Sequence, residues 1–450
     1  MKGEMKMKKA LALILAVLML VSLVACAGQN AAQSETATTE TKTEETASST
    51  QEASSAADGD VVKVGVLFPY TGSAAAVAED AQKGIEFAVS EINDRGGIKA
   101  LNGAKIELVY GDTQSNEEAA ASEAERLISK EGVSALLGCY QSTITLAVQN
   151  ICEKYHVPLA ITCSTSDTLT EGAKPYSVTI HEQNADTVKT HCHFIQDMNA
   201  KEPGAITTAA ILRQNDDWGQ ALGDGWKEGL KEIGVEVVVD EVFAMDVTDL
   251  TTVVSKLVDK KPDVVLNACY FQSMVLLTQT MMGMGYEPKA MLCSSSGETD
   301  NDFIPTVGNN ADGFFTVSGW GEDVLLSMPD KAWIGEEYKE LYDGEHYTAE
   351  SAAGWAAAMV VAEGLEAGAS AEPEALNAAI RGLSIPEDCW WNIYPYEISF
   401  NQETGKNENA IPVMGQFQDT KIVLTYPESI CTDGIELVFP GYELSPLYKK

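Results

Sequence analysis

Residues 61–72, VVKVGVLFPYTG, have the pattern of a strand that runs into a turn. β-Branched and aliphatic side chains dominate Val62 to Phe68, and Pro69 to Gly72 is rich in turn residues. Apolar residues then recur at helical spacing between Ala81 and Ile92, and Gly96-Gly97 ends that helix. A strand, a turn and a helix in this order predict the start of a parallel sheet that is covered by helices.

The same alternation continues through both halves of the chain. Further strands are predicted at 106–110, 133–138 and 157–162 in the first half, and at 207–212, 235–239, 264–268 and 290–293 in the second. The fold class is therefore α/β, with two doubly wound parallel-sheet lobes. Ligands of such sheets bind where strand ends meet helix N-termini, so the loops that follow the strands are the candidate functional positions.

Residues 1–25 predict a secretory signal peptide. A lysine-rich start precedes an apolar run from Ala10 that ends in Leu23-Val24-Ala25-Cys26, a pattern that resembles the lipobox of bacterial lipoproteins. The run is about 15 residues long, shorter than the roughly 20 that span a bilayer, so a retained membrane helix is the weaker alternative. We expect Cys26 to carry a lipid that anchors an extracytoplasmic protein to the outer face of the cell membrane.

Residues 26–60 predict a tether. Between Ala27 and Asp60 there is no aromatic and no branched aliphatic side chain, so this segment cannot bury a core. About 390 residues of ordinary globular composition remain, which is enough for two lobes. The apolar stretch from Ala352 to Leu365 contains Glu363 and two glycines, and it predicts a buried helix rather than a membrane span.

The net charge excludes nucleic acid as a partner. The chain carries a formal charge of −37, and removal of a signal with four lysines and one glutamate makes it about −40. Phosphate contacts need clustered lysine and arginine. The eight cysteines after Cys26 are widely spaced and contain no C-x-x-C pair, so neither a disulfide framework nor a thiolate metal site is predicted.

Polar residues follow neighbouring strands of the first half. Ser142 and Thr143 open a helix after one strand, and Ser164-Thr165-Ser166 ends the next. Together these hydroxyl clusters predict a site for an anionic or carbonyl group, whereas simple helix capping would need only one hydroxyl. Trp218 and Tyr270 stand at equivalent strand ends of the second half, where they could form an apolar wall or belong to the core.

Signatures of catalysis are missing from the sequence. It contains no G-x-S-x-G elbow, no H-E-x-x-H helix and no G-x-x-x-x-G-K-[ST] loop. The run His191-Cys192-His193 does not predict a metal site, because helical residues two apart point in different directions. We expect a protein that is not an enzyme and that needs neither a metal nor a cofactor.

Several motifs in order resemble type I periplasmic binding proteins of the branched-chain amino acid transport group. The resemblance covers about Val61 to the C-terminus. It rests on Val64-Gly65-Val66, Tyr70-Thr71-Gly72, Glu91-Ile92-Asn93, Gly96-Gly97-Ile98, Asp112, 138–143, 162–166, Trp218-Gly219 and 400–405.

The resemblance implies two lobes that close on a small solute and deliver it to the permease and ATPase of an ABC importer. The implied crossovers lie near 179–182, 316–319 and 413–416. Lobe 1 would then comprise 61–181 and 317–414, and lobe 2 would comprise 182–316 and 415–450. A monomer is expected, and the main rival is a tethered sensor that signals ligand binding instead of transporting the ligand.

The resemblance also implies ligand-binding residues. Lobe 2 would close on the ligand with Trp218 and Tyr270. Lobe 1 would hold the ligand carboxylate through Ser142 or Thr143 and the Cys163-Ser164-Thr165 stretch, with Tyr70 and Gln141 at the same strand ends.

Two positions depart from the amino-acid binders of this family. Ser295 aligns with the carboxylate that pairs with the ligand ammonium, and Val77 aligns with an expected aromatic residue. A buried ammonium without a charged partner is costly, so either Glu298 substitutes or the ligand is not an α-amino acid. The turn 138–142 is similar to that of amide and urea binders, so an amide, a urea-like solute or a simple carboxylate stays an alternative.

Overall fold

The computed structural model describes residues 61–72, 74–318, 325, 328–427, 431 and 434–448. The signal peptide, the tether and lipidation at Cys26 lie outside the described residues, and so does the side chain of Val77. Among the described residues, no helix combines the length and the apolar character needed to cross a membrane.

The first sheet contains five parallel strands. They are β1 (Val61–Phe68), β2 (Lys105–Asp112), β3 (Ala135–Gly138), β4 (Leu159–Ile161) and β5 (Ser177–Thr179). Their spatial order is β2-β1-β3-β4-β5, so the strand order reverses between β1 and β3. The intervening helices are α1 (Ala75–Asp94), α2 (Glu117–Arg126) and α3 (Ser142–Tyr155). Helices on both faces leave β3 and β4 wholly buried, as is usual for a parallel sheet.

The second sheet repeats this topology. Its parallel part contains β6 (Thr208–Gln214), β7 (Glu236–Phe243), β8 (Val264–Ala268), β9 (Ala290–Cys293) and β10 (Phe315–Ser318), in the order β7-β6-β8-β9-β10. Its helices are α4 (Asn184–Lys201), α5 (Asp217–Glu232), α6 (Thr251–Lys260), α7 (Phe271–Gly283) and α8 (Phe303–Val307).

The rest of the chain packs helices on the first sheet and adds two strands to the second. The helices α9 (Ala332–Leu341), α10 (Ala349–Gly368) and α11 (Pro373–Arg381) and the short hairpin β11 (Ser384–Ile385) and β12 (Ile398–Ser399) come first. Then β13 (Val413–Gln418) pairs antiparallel with β10, and β14 (Lys421–Tyr426) pairs antiparallel with β13. The chain thus passes between the sheets after β5, after β10 and before β13.

Helix α10 belongs with the first sheet because it packs closely on α1. Two glycines permit this approach. A Cβ on Gly84 would lie 1.9 Å from the Ser351 carbonyl oxygen, and a Cβ on Gly354 would lie 2.2 Å from that of Ala81. The stretch predicted as a buried helix forms most of α10, and its described side chains are almost all buried. This contact fixes where the first turn of α10 lies relative to the strand ends.

Candidate functional site

A cavity of about 450 Å³ lies between the two sheets and opens to solvent. The loop after β4 and the start of α10 bound it on one side, and the loop after β9 and helix α4 bound it on the other. It is lined by Cys163, Thr165, His181, Glu182, Thr187, Ser294, Ser295, Ala349, Glu350, Ala353 and Tyr394.

A second, smaller cavity of about 210 Å³ shares Cys163 and Thr165 with the first. It therefore continues the same cleft toward the N-terminus of α3. Its other lining residues are Tyr140, Ser142, Trp218, Tyr270 and Ser296.

Hydrogen bonds join the two sides of the cleft. The hydroxyls of Tyr140 and Ser296 are 2.8 Å apart, and the Ser166 hydroxyl donates to Asp217 Oδ2 at 2.6 Å. The backbone N–H of Asp217 also donates to Thr143 Oγ1 at 3.2 Å. Because each bond joins a residue of the first half to one of the second, the structure represents a closed arrangement of the two sheets.

The structure separates the first-half candidates into two groups. Ser142, Cys163 and Thr165 line the cleft. Ser164 is buried, and its hydroxyl is used in hydrogen bonds to the Cys139 and Tyr140 carbonyls. Neither cavity is lined by Thr143, Gln141 or Tyr70. The Thr143 hydroxyl contacts Asp217, and Gln141 directly precedes α3. The centroid of the Tyr70 ring lies 6.2 Å from that of the Tyr110 ring.

Trp218 and Tyr270 both lie in the wall of the smaller cavity. Their ring centroids are 5.0 Å apart, and Tyr140 packs against Tyr270 from the other side of the cleft at 5.6 Å. The Tyr270 hydroxyl donates to Asp216 Oδ2 at 2.6 Å, which fixes the ring. The result is an aromatic wall that can contact an apolar part of a ligand.

Ser295 lines the larger cavity, but Glu298 lines neither of the two cavities among the described residues. The Glu298 carboxylate points toward the backbone of the loop that carries it. It accepts the backbone N–H of Ser295 at 2.8 Å and of Ser296 at 3.3 Å, and the Thr316 hydroxyl at 2.7 Å. Burial raises the pKa of the Glu298 carboxyl, while these donors lower it. Glu298 therefore stabilises the loop after β9, whose Ser295 has a φ of +54°.

Sequence reasoning missed the two carboxylates that do line the cavity, Glu182 and Glu350. Glu182 lies in the predicted first crossover. Glu350 occupies the first turn of α10, after the N-cap Thr348, whose hydroxyl accepts the Ser351 N–H at 3.1 Å. A glutamate near a capping threonine is a common helix start, so the sequence carried no signal that this one faces a cleft.

The electrostatics of the cleft are acidic. Burial, followed by the charge of Asp80, raises the pKa of Glu350 to about 8. Burial likewise raises the pKa of Asp80 to about 7 and that of Asp300 to about 6. Among the described residues, the side chains that line the two cavities include no lysine or arginine. The arrangement therefore offers carboxyl groups, and no competing lysine or arginine, to a positively charged group.

The fold places a polar cleft between two sheets covered by helices, which is the architecture of a solute-binding protein. The family model for periplasmic binding proteins matches residues 61–419, and the chain belongs to this family. The expected α/β class with two parallel-sheet lobes is confirmed, whereas the residue boundaries of the lobes stay a prediction.

Curated relatives are distant. The chain is 29% identical to "Leu/Ile/Val-binding protein homolog 8" of Brucella abortus over 374 residues, which is 82% of this chain and 91% of that protein. It is 26% identical to "Leu/Ile/Val-binding protein homolog 7" of Brucella melitensis over 84% of this chain and 94% of that protein.

Solved structures share the fold. A leucine-binding protein LivK from Thermotoga maritima has a TM-score of 0.71 at 22% identity and covers 82% of this chain and 100% of its own. The substrate-binding protein LivJ from Streptococcus pneumoniae, in complex with isoleucine, has a TM-score of 0.70 at 22% identity, with coverages of 85% and 100%. A solute-binding protein from R. palustris, in complex with benzoate, reaches 0.68 at 19% identity, with coverages of 81% and 95%.

Proposed function

We propose that this protein is the extracytoplasmic substrate-binding component of an ABC importer and that it captures a branched-chain or related amino acid. It would be held to the outer face of the cell membrane through a lipid on Cys26 and would deliver its ligand to a permease and an ATPase. The observation that carries the ligand class is the acidic cleft with an aromatic wall, whose described lining side chains include no lysine or arginine.

Each part of an aliphatic amino acid has a chemically suitable place in the cleft. The Ser142 hydroxyl, at the N-terminus of α3, suits a carboxylate, whereas Thr165 already donates its hydroxyl proton to Asn184 Oδ1 at 2.8 Å. Trp218 and Tyr270 suit an apolar side chain. The cavity carboxylates suit an ammonium group. The names of the Brucella relatives point to the same ligands.

Closure explains how binding becomes a signal for transport. The ligand would contact residues of both sheets, so it would bind the closed form more tightly than an open form, and only this difference shifts the population. The hydrogen bonds across the cleft, such as that between Tyr140 and Ser296, add to the closed form once the ligand excludes water.

The test is calorimetric titration of purified protein, freed of ligand by unfolding and refolding. The panel contains leucine, isoleucine, valine, the matching amides and the matching carboxylic acids without the amine. Micromolar or tighter binding of at least one amino acid, lost in Trp218→Ala, supports the proposal. Binding of amides or carboxylic acids alone would refute the amino-acid ligand and leave the importer role to be judged by uptake in cells that lack the protein.

A further inference from the structure

The Glu350 side chain has one carboxylate oxygen with a protein partner and one without. Thr299 Oγ1 donates to Glu350 Oε1 at 3.0 Å, whereas Oε2 has no hydrogen-bond partner among the described residues. The residue is only 4% exposed and lines the larger cavity. A buried acceptor without a donor destabilises the protein, and more so when it is charged. A ligand donor at this oxygen would remove that destabilisation.

Other groups around Glu350 favour a positively charged donor. Asp80 and Asp300 act on it electrostatically as like charges, and Glu182 lines the same cavity. Tyr140 and Cys163 are the other titratable groups that sense its charge. A neutral donor would satisfy Oε2 but leave the mutual repulsion of the carboxylates, whereas an ammonium would offset both.

The loop after β9 does not offer an alternative partner. Ser295 contributes only a hydroxyl, and both oxygens of Glu298 already accept hydrogen bonds from their own surroundings. Glu298 also lines neither cavity, so a ligand ammonium in the cleft would meet it only if this loop, which forms the cavity wall, were rearranged.

We propose that Glu350, from the first turn of α10, is the residue that binds the ammonium group of the ligand, through its Oε2 atom. This inference rests on the proposed function and specifies its ligand class: a solute that carries a protonated amine. The first sheet thus supplies the charge partner, in place of a carboxylate from the second.

The hydrogen bond from Thr299 indicates that Glu350 also stabilises the closed arrangement of the two sheets. Thr299 follows β9, whereas Glu350 is carried by α10, so their hydrogen bond exists only when the sheets are closed. Glu350 would accept a hydrogen bond from Thr299 on one oxygen and bind the ammonium with the other. It would therefore stabilise the closed arrangement as well as bind the ligand.

The experiment titrates wild-type protein, Glu350→Gln and Glu350→Asp with leucine and with 4-methylpentanoate, its counterpart without the amine. The matched control is Glu287→Gln, which also removes a partly buried carboxylate, with a pKa raised to about 7, that does not line the cleft. Thermal unfolding of each ligand-free variant shows whether it is folded.

We expect Glu350→Gln to weaken leucine binding at least 10-fold and to leave 4-methylpentanoate binding unchanged or stronger. Glu350→Asp keeps a carboxylate and should bind leucine more tightly than Glu350→Gln does. It is compared with the wild type directly if Glu350→Gln proves poorly folded. Glu287→Gln should bind leucine like the wild type. Equal weakening of both ligands, or no weakening of leucine, would overturn the inference. If the wild type binds 4-methylpentanoate but no amine, both this inference and the amino-acid ligand are wrong; if it binds leucine without using Glu350, only this inference is wrong.

Discussion

The loop after β9 (Ser294 to Thr299) and the start of α10 (Thr348 to Ser351) each hold a buried glutamate beside the cleft, yet they use it differently. Glu298 accepts three hydrogen bonds within its own side of the cleft and holds a loop in shape. Glu350 accepts one hydrogen bond, from Thr299 across the cleft, and its Oε2 atom has no hydrogen-bond partner among the described residues. The comparison indicates how a structural carboxylate differs from one that is available to a ligand. The difference is the number of hydrogen bonds that its oxygens already accept, and it is not the distance along the chain from the end of a strand.

The largest expected effect tests the structural side of this comparison. Glu298→Ala leaves three donors without their acceptor, so the free energy of unfolding should fall by about 3 kcal/mol. Urea unfolding of ligand-free protein measures the change. Thr316→Val is the control, because it removes only one of the three donors and should cost about 1 kcal/mol. A loss below that of Thr316→Val would show that water replaces Glu298.

The second effect concerns stability against pH. The folded-state pKa of Glu350 is raised to about 8, so its contribution to stability is present below the ordinary glutamate pKa and is lost as the pH rises through about 8. Between pH 5 and pH 7 the unfolding free energy of the wild type should therefore fall by about 2 kcal/mol more than that of Glu350→Gln.

Other groups titrate in the same window, so the comparison must be between variants. Asp80 and Asp300, with pKa values raised to about 7 and about 6, act on Glu350 as like charges. Both are retained in Glu350→Gln and contribute to both curves. Glu182 and His181, which line the same cavity, are also retained. Parallel curves for the two proteins would mean that Glu350 is already ionised near pH 5.

The third effect links the same carboxyl to the ligand. Burial raises the pKa of the Glu350 carboxyl to about 8, so at pH 7 this carboxyl is mostly protonated. An ammonium that binds its ionised form should therefore release up to about one proton from the protein. Titration calorimetry with leucine in two buffers of different ionisation enthalpy measures this number. Glu350→Gln should release none, whereas equal proton release by both proteins would assign the titration to another group.

The smallest effect concerns the bond that connects the two regions. Thr299→Val removes the hydroxyl donor to Glu350 Oε1 and should weaken leucine binding about 5-fold, the equivalent of about 1 kcal/mol. Thr299→Ser keeps the hydroxyl and should bind nearly as the wild type does. Unchanged affinity in Thr299→Val would mean that closure does not depend on this contact.

Local patterns were sufficient for most of the fold and for part of the site. The strand predictions at 264–268 and 290–293 match β8 and β9 residue for residue, because short β-branched and aliphatic runs between turns have few other solutions. Ser142, Thr165, Trp218 and Tyr270 lie in the cleft because strand ends of a doubly wound sheet face it.

Side-chain direction limited the rest of the site prediction. Ser164 lies between two cleft residues but points into the core, where the Tyr140 carbonyl accepts its hydroxyl. Alternating side chains along an extended segment face opposite ways, and a hydroxyl gives no sign of which way it faces. Glu298 was predicted as a possible ligand-binding residue, but it lines neither cavity, and its three hydrogen bonds show that it stabilises its own loop.

The sequence by itself determined the α/β class and the strand ends at which a ligand would bind, because these follow from local hydrophobic periodicity and turn residues. Only the tertiary structure decided which carboxylates face the cleft. Glu350 lies more than 50 residues from the loop after β9, and it reaches the cavity because Gly84 and Gly354 let α10 pack closely on α1. Long-range packing of this kind leaves no local pattern, since a buried helix has the same sequence signature wherever it docks.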